Sequence, residues 1–583
     1  MLPERFRHVD ETALASMSTG YELAGVIESA TVEIEAVACG GRLSVWKTVW
    51  SDRLSGAERS ATVPSVGGAR PWAKWRADGL TPTLAIAGGT SLATSGEPSS
   101  WNLMAIVAVA LLAEALSRSL ARPRPLRAAF LSGLVFGTAA NAIALSSLVE
   151  LLVHFGHFST LAAVPTAALC WVAQALPYAL STLLAAFVVR RDVPLLYALP
   201  LSSASMLGIC PQLFPWHLGA TQVDFLWFAQ VADLGGEGLL DFLVCALGTA
   251  LWSLARESAA LRLRAGLVVG LCGLLPLAYG VVRLAQIEEA RAQAEVVHVG
   301  VIQPSVDIDE KHEPSRRGEI LERLRTLTKL AETDGAEMTV WPETAYPYEL
   351  SRARTRLDRG DRALLGSGVE GPIVLGAVTY GPDAAGRPRR FNSAWVVERD
   401  GALSDRVDKT RLLAFGEYVP FWHLIPALQA RFASPGFLAG KPDVVRAAGA
   451  KLGILICYED LFFSHARSVV QRGAELLVNM TNDAWFRRSR TAALHDMMAH
   501  LRAIETRRDF VRAVNTGVSS VTLATGETVA RTEIFTRTHL VEPLRRLSMT
   551  TLYVRLGDWV TPLCGLALFT LFALRRRPSG HDR

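Results

Sequence analysis

Residues 452–460 read LGILICYED. Leu452 to Ile456 form an unbroken apolar run with one glycine, the pattern of a strand buried on both faces of a layered structure. The run stops at Cys457 and turns acidic at Glu459 and Asp460. A thiol at a strand-to-helix elbow is exposed, and backbone N–H groups just beyond it can bind an oxyanion. Cys457 is the only cysteine in the polar block 288–557. Cys170, Cys210, Cys245, Cys272 and Cys564 lie in or beside apolar runs, where cysteine behaves as a small hydrophobe, and Cys39 lies in the N-terminal head. Without a partner in its own block Cys457 does not read as half of a structural disulfide. A buried strand cysteine is the plainer alternative; the acidic neighbours favour a nucleophile.

Two further stretches supply partners. WPETA (341–345) places Glu343 just after the apolar run Met338–Trp341, and a carboxylate at the carboxyl end of a strand is a common site position in α/β folds. DKTRLLAFGEYVPF (408–421) carries Lys409, which alone would read as a surface lysine. Carboxylate, ammonium and thiol together are the parts needed to acylate a cysteine. The first takes the proton, the second faces the oxyanion and the third attacks. Competing chemistries are thin. Gly517-Val518-Ser519 lacks the closing glycine of a serine elbow, and there is no H-E-x-x-H. His495 and His500 are five apart, and His154 and His157 flank only Phe and Gly, so no metal site or cofactor is expected.

Around these stretches the polar block alternates strand-like and helix-like runs. Segments 297–303, 337–341, 372–380, 392–398, 452–457, 475–480 and 510–515 read as strands. Residues 314–332 put Ile320, Leu324, Leu327 and Ala331 on one helical face, and 490–507 also suggests a helix. Such alternation argues α/β layering.

The block sits inside a chain of 583 residues with mean hydropathy +0.25, too long and too apolar for one soluble domain. Apolar stretches at 102–117, 128–153, 159–189, 194–212, 239–255, 265–285 and 558–574, with a weaker one at 80–96, are candidate spans for ~30 Å of hydrocarbon. This predicts a multi-pass α-helical bundle of about eight spans. Arg118, Arg122, Arg124 and Arg127 share one loop, Arg190 and Arg191 a second, Arg256, Arg262 and Arg264 a third, and Arg575–Arg577 follow the last span. The intervening connections 154–158 and 213–241 carry no Lys or Arg. By the positive-inside rule the arginine-rich loops are cytoplasmic and block 288–557 is extracytoplasmic. The division expected is a head (1–79), seven helices (80–287), the catalytic block (288–557), a last helix (558–575) and a short tail (576–583). The head carries no catalytic string and no signal-peptide pattern, and reads as a mis-called start or a disordered extension. The net charge of +5 follows from topology, so no nucleic-acid partner is inferred.

WPETA, DKTRLLAFGEYVPF and ICYED together resemble the nitrilase (carbon–nitrogen hydrolase) superfamily. Within it, the chain from about 80 to 575 resembles the apolipoprotein N-acyltransferase family. FPWHLGATQ (214–222) and QVADLGGEGLLDFLV (230–244) look like that family's external loop before a membrane helix. NMTNDAWF (479–486), HLRAIETRR (500–508) and RAVNTGVSS (512–520) look like its site-lining stretches. The resemblance implies a four-layer αββα sandwich on the periplasmic side of a bacterial inner membrane, in a monomer. It implies a Glu343–Lys409–Cys457 triad, with a phospholipid as acyl donor and a diacylglyceryl apolipoprotein as acceptor. Glu417 becomes a second carboxylate near Lys409, the Tyr458 N–H a second oxyanion donor, and Glu459 a supporting residue or a plain partner for Lys or Arg. Lys409 is expected to lower the pKa of the thiol. His312 and Trp485 are candidate substrate contacts. His312 stands in QPSVDIDEKHEP (303–314) where the family has tryptophan, and Arg487 stands where it has glycine. A membrane-anchored amidase and a catalytically drifted scaffold are the alternative readings.

Overall fold

The computed structural model describes residues 71–574, apart from short stretches at 97–98, 100, 155, 358–363, 366–367, 384–385, 415 and 419–435. Residues 1–70 with Cys39, the tail with Arg575–Arg577, and the end of the Lys409 string from Val419 onward lie outside the described residues.

The strand read from LGILI is Ala450–Ile456, and both of its faces are buried. Ile454 and Ile456 enter one apolar core while Leu455 enters another, the two-residue alternation of a strand buried between layers. Among the described residues thirteen strands form two sheets. The first holds β1 (Val296–Gln303), β2 (Met338–Val340), β3 (Leu350–Ser351), β4 (Ile373–Pro382), β5 (Pro388–Val397) and β6 (Leu403–Asp408). The second holds β7 (Val444–Ala447), β8 (Ala450–Ile456), β9 (Leu476–Thr481), β10 (Asp509–Val514), β11 (Ser520–Thr522) and β12 (Thr528–Arg531). β13 (Thr538–Arg545) returns to the first sheet, antiparallel to β1.

Each sheet has a parallel centre and antiparallel edges. β1, β2 and β4 are parallel in one, and β8, β9 and β10 in the other. Val299, Val301, Val340, Ile454, Ile456 and Met480 belong to the core between the sheets. Helix Arg317–Thr333 covers the outer side of the first sheet through Ile320, Leu324 and Leu327. Helices Phe463–Gln471 and Arg490–Thr506 cover the second through Val469, Ala499 and Ala503. The result is the expected αββα order. Gly453 permits the close approach of helix Phe463–Gln471, because a Cβ there would meet Val469 Cγ2 at 2.7 Å.

The apolar stretches are helical. Pro71–Thr94, Met104–Leu120, Pro125–Ala144, Leu195–Ile209 and Val560–Leu574 overlie candidate spans, as do Thr160–Val189, Ala232–Arg256 and Ala259–Ala292. Among the described residues four helices are long and apolar enough to cross a membrane: Pro125–Ala144, Thr160–Val189, Ala232–Arg256 and Ala259–Ala292. Two expectations change in detail. The first helix begins at Pro71, ahead of residue 80. The 128–153 stretch is interrupted, with helix to Ala144 and again from Leu148 to His154.

Helix Arg490–Thr506 lies between the second sheet and the bundle and is buried on nearly every side. Its charged residues are therefore paired rather than solvated. Arg502 donates to Glu237 at 2.8 Å, and Arg507 donates to Asp233 Oδ2 at 2.8 and 3.0 Å. Arg283 and Tyr279 also donate to Asp233, at 2.7 and 2.6 Å. Arg291 grips Asp509 through two bonds, at 3.0 and 2.9 Å. The stretch QVADLGGEGLLDFLV thus joins the bundle to the α/β block through buried ion pairs.

Candidate active site

β8 ends at Ile456, and Cys457 opens a tight turn to Leu461. Cys457 takes φ +57°, a left-handed conformation that costs a side-chain-bearing residue of order 1–3 kcal/mol. The elbow is held in that shape by its neighbours. Asn479 of β9 donates to the carbonyls of Leu455 and Cys457, at 3.1 and 2.8 Å. Glu459 turns back to accept from the Ile456 N–H at 2.7 Å.

Glu459 also accepts from the backbone N–H groups of Thr410 and Arg411, at 2.6 and 2.8 Å. It therefore ties the elbow to the segment that carries Lys409. Of the two roles read for it, neither a Lys nor an Arg side chain is its main partner; His465 Nε2 lies at 3.5 Å.

Lys409 directly follows β6 and is 2 % exposed. Its Nζ donates to Glu343 Oε1 and Glu417 Oε1, both at 3.1 Å. Glu417 accepts as well from the Leu413 N–H at 2.8 Å, which fixes the loop around Lys409. Asn392 of β5 was not singled out in the sequence. Its amide donates to Glu343 Oε1 at 2.7 Å and to Glu417 Oε1 at 3.0 Å, bridging the two carboxylates. The only local signal is a buried polar residue at the head of an otherwise apolar run, NSAWVV.

Glu343 is 6 % exposed, just beyond β2. Thr344 beside it takes φ +46°. Gly376 of β4 leaves room for this loop, since a Cβ there would meet Pro342 O at 2.2 Å and the Glu343 Cα at 2.9 Å. Lys311 reaches the same loop and donates to Thr344 Oγ1 at 2.6 Å.

Lys409 acts on the thiol in the expected direction but does not prevail. Burial pushes the Cys457 thiol well above its usual range, the Glu343 charge adds to this, and Lys409 only partly opposes it. The resting thiol is thus neutral. Burial alone would discharge Lys409, but Cys457 whenever it ionises, and the standing carboxylates of Glu343 and Glu417, overcome it and hold the ammonium well above its usual range. The arrangement suits proton removal from the thiol during attack, under a permanent cation.

The two candidate substrate contacts, His312 and Trp485, are both exposed. His312 is exposed and its ring donates to the Ile308 carbonyl at 2.8 Å, while Lys311 beside it turns inward. Trp485 is 37 % exposed on the turn Asp483–Phe486. Arg487, which ends that turn, has φ +48° and ψ −146°, a region suited to glycine. The Tyr458 hydroxyl donates to the Leu412 carbonyl at 2.8 Å, and its ring lies 5.6 Å from Lys409 Nζ. Among the described residues no cluster of His, Cys, Asp or Glu could hold a metal ion.

Two family models match the chain. The carbon-nitrogen hydrolase model matches residues 298–550, and the apolipoprotein N-acyltransferase N-terminal domain model matches 88–250. An apolipoprotein N-acyltransferase of Geobacter metallireducens is 30% identical over 516 residues, spanning 86% of this chain and 96% of that one. The one from Gloeobacter violaceus is 31% identical over 521 residues, spanning 85% and 94%. A crystal structure of an amidase from Nesterenkonia sp. overlaps 43% of this chain and 91% of its own, at 19% identity and a TM-score of 0.33, too low to weigh here. The chain belongs to the apolipoprotein N-acyltransferase family of the carbon-nitrogen hydrolase superfamily.

Proposed function

We propose that this chain N-acylates lipoproteins, moving a fatty acyl chain from a phospholipid through a thioester on Cys457 to the α-amine of an N-terminal diacylglyceryl-cysteine. The supporting observation is the convergence of Glu343 and Glu417 on Lys409, each with a carboxylate oxygen 3.1 Å from its Nζ, electrostatically coupled to a strained, neutral thiol. Glu343 takes the Cys457 proton as sulfur attacks the ester carbonyl, and Lys409 with the Tyr458 N–H faces the oxyanion. Collapse expels the lysophospholipid alkoxide, which takes back the proton held by Glu343. In the second half-reaction Glu343 accepts a proton from the attacking amine. A second oxyanion collapses to the amide and expels the Cys457 thiolate, which takes the proton held by Glu343 and restores both groups.

Both substrates are anchored in lipid, which accounts for a hydrolase-type block locked onto an apolar bundle. The proposed setting is a bacterial inner membrane crossed by about eight helices, with the α/β block on the periplasmic face and the enzyme a monomer. Glu417 acts by holding Lys409, and Glu459 by holding the Lys409 segment against the elbow. Intact-mass analysis of the full chain after incubation with phospholipid tests this. A thioester-linked acyl group on Cys457, transferable to a diacylglyceryl peptide, is expected. An unmodified Cys457 under conditions where the peptide is still acylated would overturn it.

A further inference from the structure

Lys311 lies on the short helix Ile308–His312, beside a carboxylate loop to which no sequence pattern ties it. The helix is fixed from outside, because Glu310 pairs with Arg323 at 2.7 Å. Lys311 turns inward from it into a small apolar-walled niche shared with Val306, Ile320, Ala345 and Pro347. Its Nζ donates to Thr344 Oγ1 at 2.6 Å and approaches the Glu343 carbonyl at 3.4 Å. Among the described residues it has no carboxylate within ion-pair distance.

An ammonium drawn into a half-buried niche without a counter-ion in contact is costly, so its position calls for a reason. The residues it holds are the ones whose backbone needs holding. Thr344 is a non-glycine at φ +46°, and Glu343 precedes it. We propose that Lys311 is a positioning residue for the Glu343 base: its ammonium clamps the Thr344 hydroxyl and the Glu343 carbonyl, aiming the Glu343 carboxylate and favouring its charged form. This rests on Glu343 acting as the base under the proposed function.

The charge of Lys311 is itself sensitive to pH. Burial lowers its pKa to about 8, opposed by the Glu343 carboxylate. From the other elements around the niche only Glu343 presents a charge; Ile320, Val306 and Asn515 are neutral, and Arg323 is engaged with Glu310. As pH rises through about 8 the ammonium discharges, and its charge-assisted bonds weaken.

The test is the rate of Cys457 alkylation by iodoacetamide in the full-length protein, read by peptide mass, which needs no lipid substrate. At neutral pH Lys311→Met should slow alkylation about tenfold or more, a fraction of the ~10²–10⁴ carried by a general base. Lys311→Arg, which keeps a cation, should stay near wild type. Thr344→Val, which loses only the acceptor hydroxyl, should reproduce part of the loss and covers the case of a misfolded methionine variant. In a Glu343→Gln background, Lys311→Met should cost nothing further, since one residue acts through the other. The wild-type rate profile should bend near pH 8, and Lys311→Arg should remove the bend. Wild-type alkylation in Lys311→Met and Thr344→Val, additive losses with Glu343→Gln, or a bend that persists in Lys311→Arg would each overturn the proposal. If alkylation behaves as expected while phospholipid leaves Cys457 unacylated, the positioning role stands and the acyl-transfer reading fails.

Discussion

Of the side chains that occupy positive-φ backbone where glycine would be easier, Cys457 and Arg487 have opposite claims on it. Cys457 at φ +57° needs its side chain for chemistry, so the strain is offset by the bonds from Asn479 and Glu459. Cys457→Ala and Cys457→Ser should form no acyl-enzyme. Glu343→Gln should slow its formation by about 10²–10⁴, the range for a lost general base. Single-turnover mass analysis with phospholipid checks both; a near-normal rate in Glu343→Gln would remove that residue from the triad. Arg487 at φ +48° and ψ −146° is held by one long backbone bond, its N–H to the Ala484 carbonyl at 3.3 Å. Arg487→Gly should therefore raise stability by roughly 1 kcal/mol, seen as a higher thermal unfolding midpoint in detergent. An unchanged or lower midpoint would show that the arginine side chain repays its strain.

The turn after β8 and helix Arg490–Thr506 are joined by one imidazole. His495 bonds Asp483 at 3.0 Å through Nδ1 and Asp460 at 2.9 Å through Nε2, while Arg512 also bonds Asp460. Burial opposes a charge on this ring, but the two carboxylates outweigh it and raise its pKa to about 9 from 6.5. A raised folded-state pKa means stability fully present below about pH 6.5 and lost as pH climbs through about 9. Denaturant midpoints measured across that window should fall, and His495→Gln should flatten the slope; an equal slope in the variant would assign it elsewhere. The elements themselves were unevenly legible. β1, β2, β4, β5, β8, β9 and β10 stand out because a central strand needs unbroken apolar residues. β6 (LSDRVD) and β13 (THLVEPLR) are half-solvated edges whose charges and Pro543 mask them. The triad, Glu417 and Glu459 sit in recognisable strings. Asn392 and Lys311 do not, because their roles arise only when strands distant in sequence close on Glu343.

For the molecule as a whole, the arginine-poor connections and the α/β block should share one side of the membrane. A membrane-impermeant thiol reagent applied to intact spheroplasts should reach Cys457, with little added by lysis. Labelling only after lysis would invert the orientation and leave the arginine-rich loops unexplained. The junction of bundle and block should behave as one cooperative structure. Arg502→Met strands Glu237 and Glu505 in a buried setting and should cost about 3–5 kcal/mol. Adding Glu237→Gln should recover part of it, because one of the two orphaned charges is gone. Failure of the second change to rescue detergent-resistant folding would place the loss in packing rather than in charge.

The same junction sets a timetable for biosynthesis. Arg507 follows Asp233 by 274 residues and Arg502 follows Glu237 by 265. At roughly 5–20 residues per second the ribosome needs about 13–55 s to deliver them. Asp233 is met earlier by Arg283, 50 residues behind it, but among the described residues Glu237 gains its arginine only from the late helix. The newborn bundle therefore carries a bare carboxylate at its junction face until the second half of the chain has been made and folded. Completion of the bundle is in this sense a reading of whether the catalytic half has arrived.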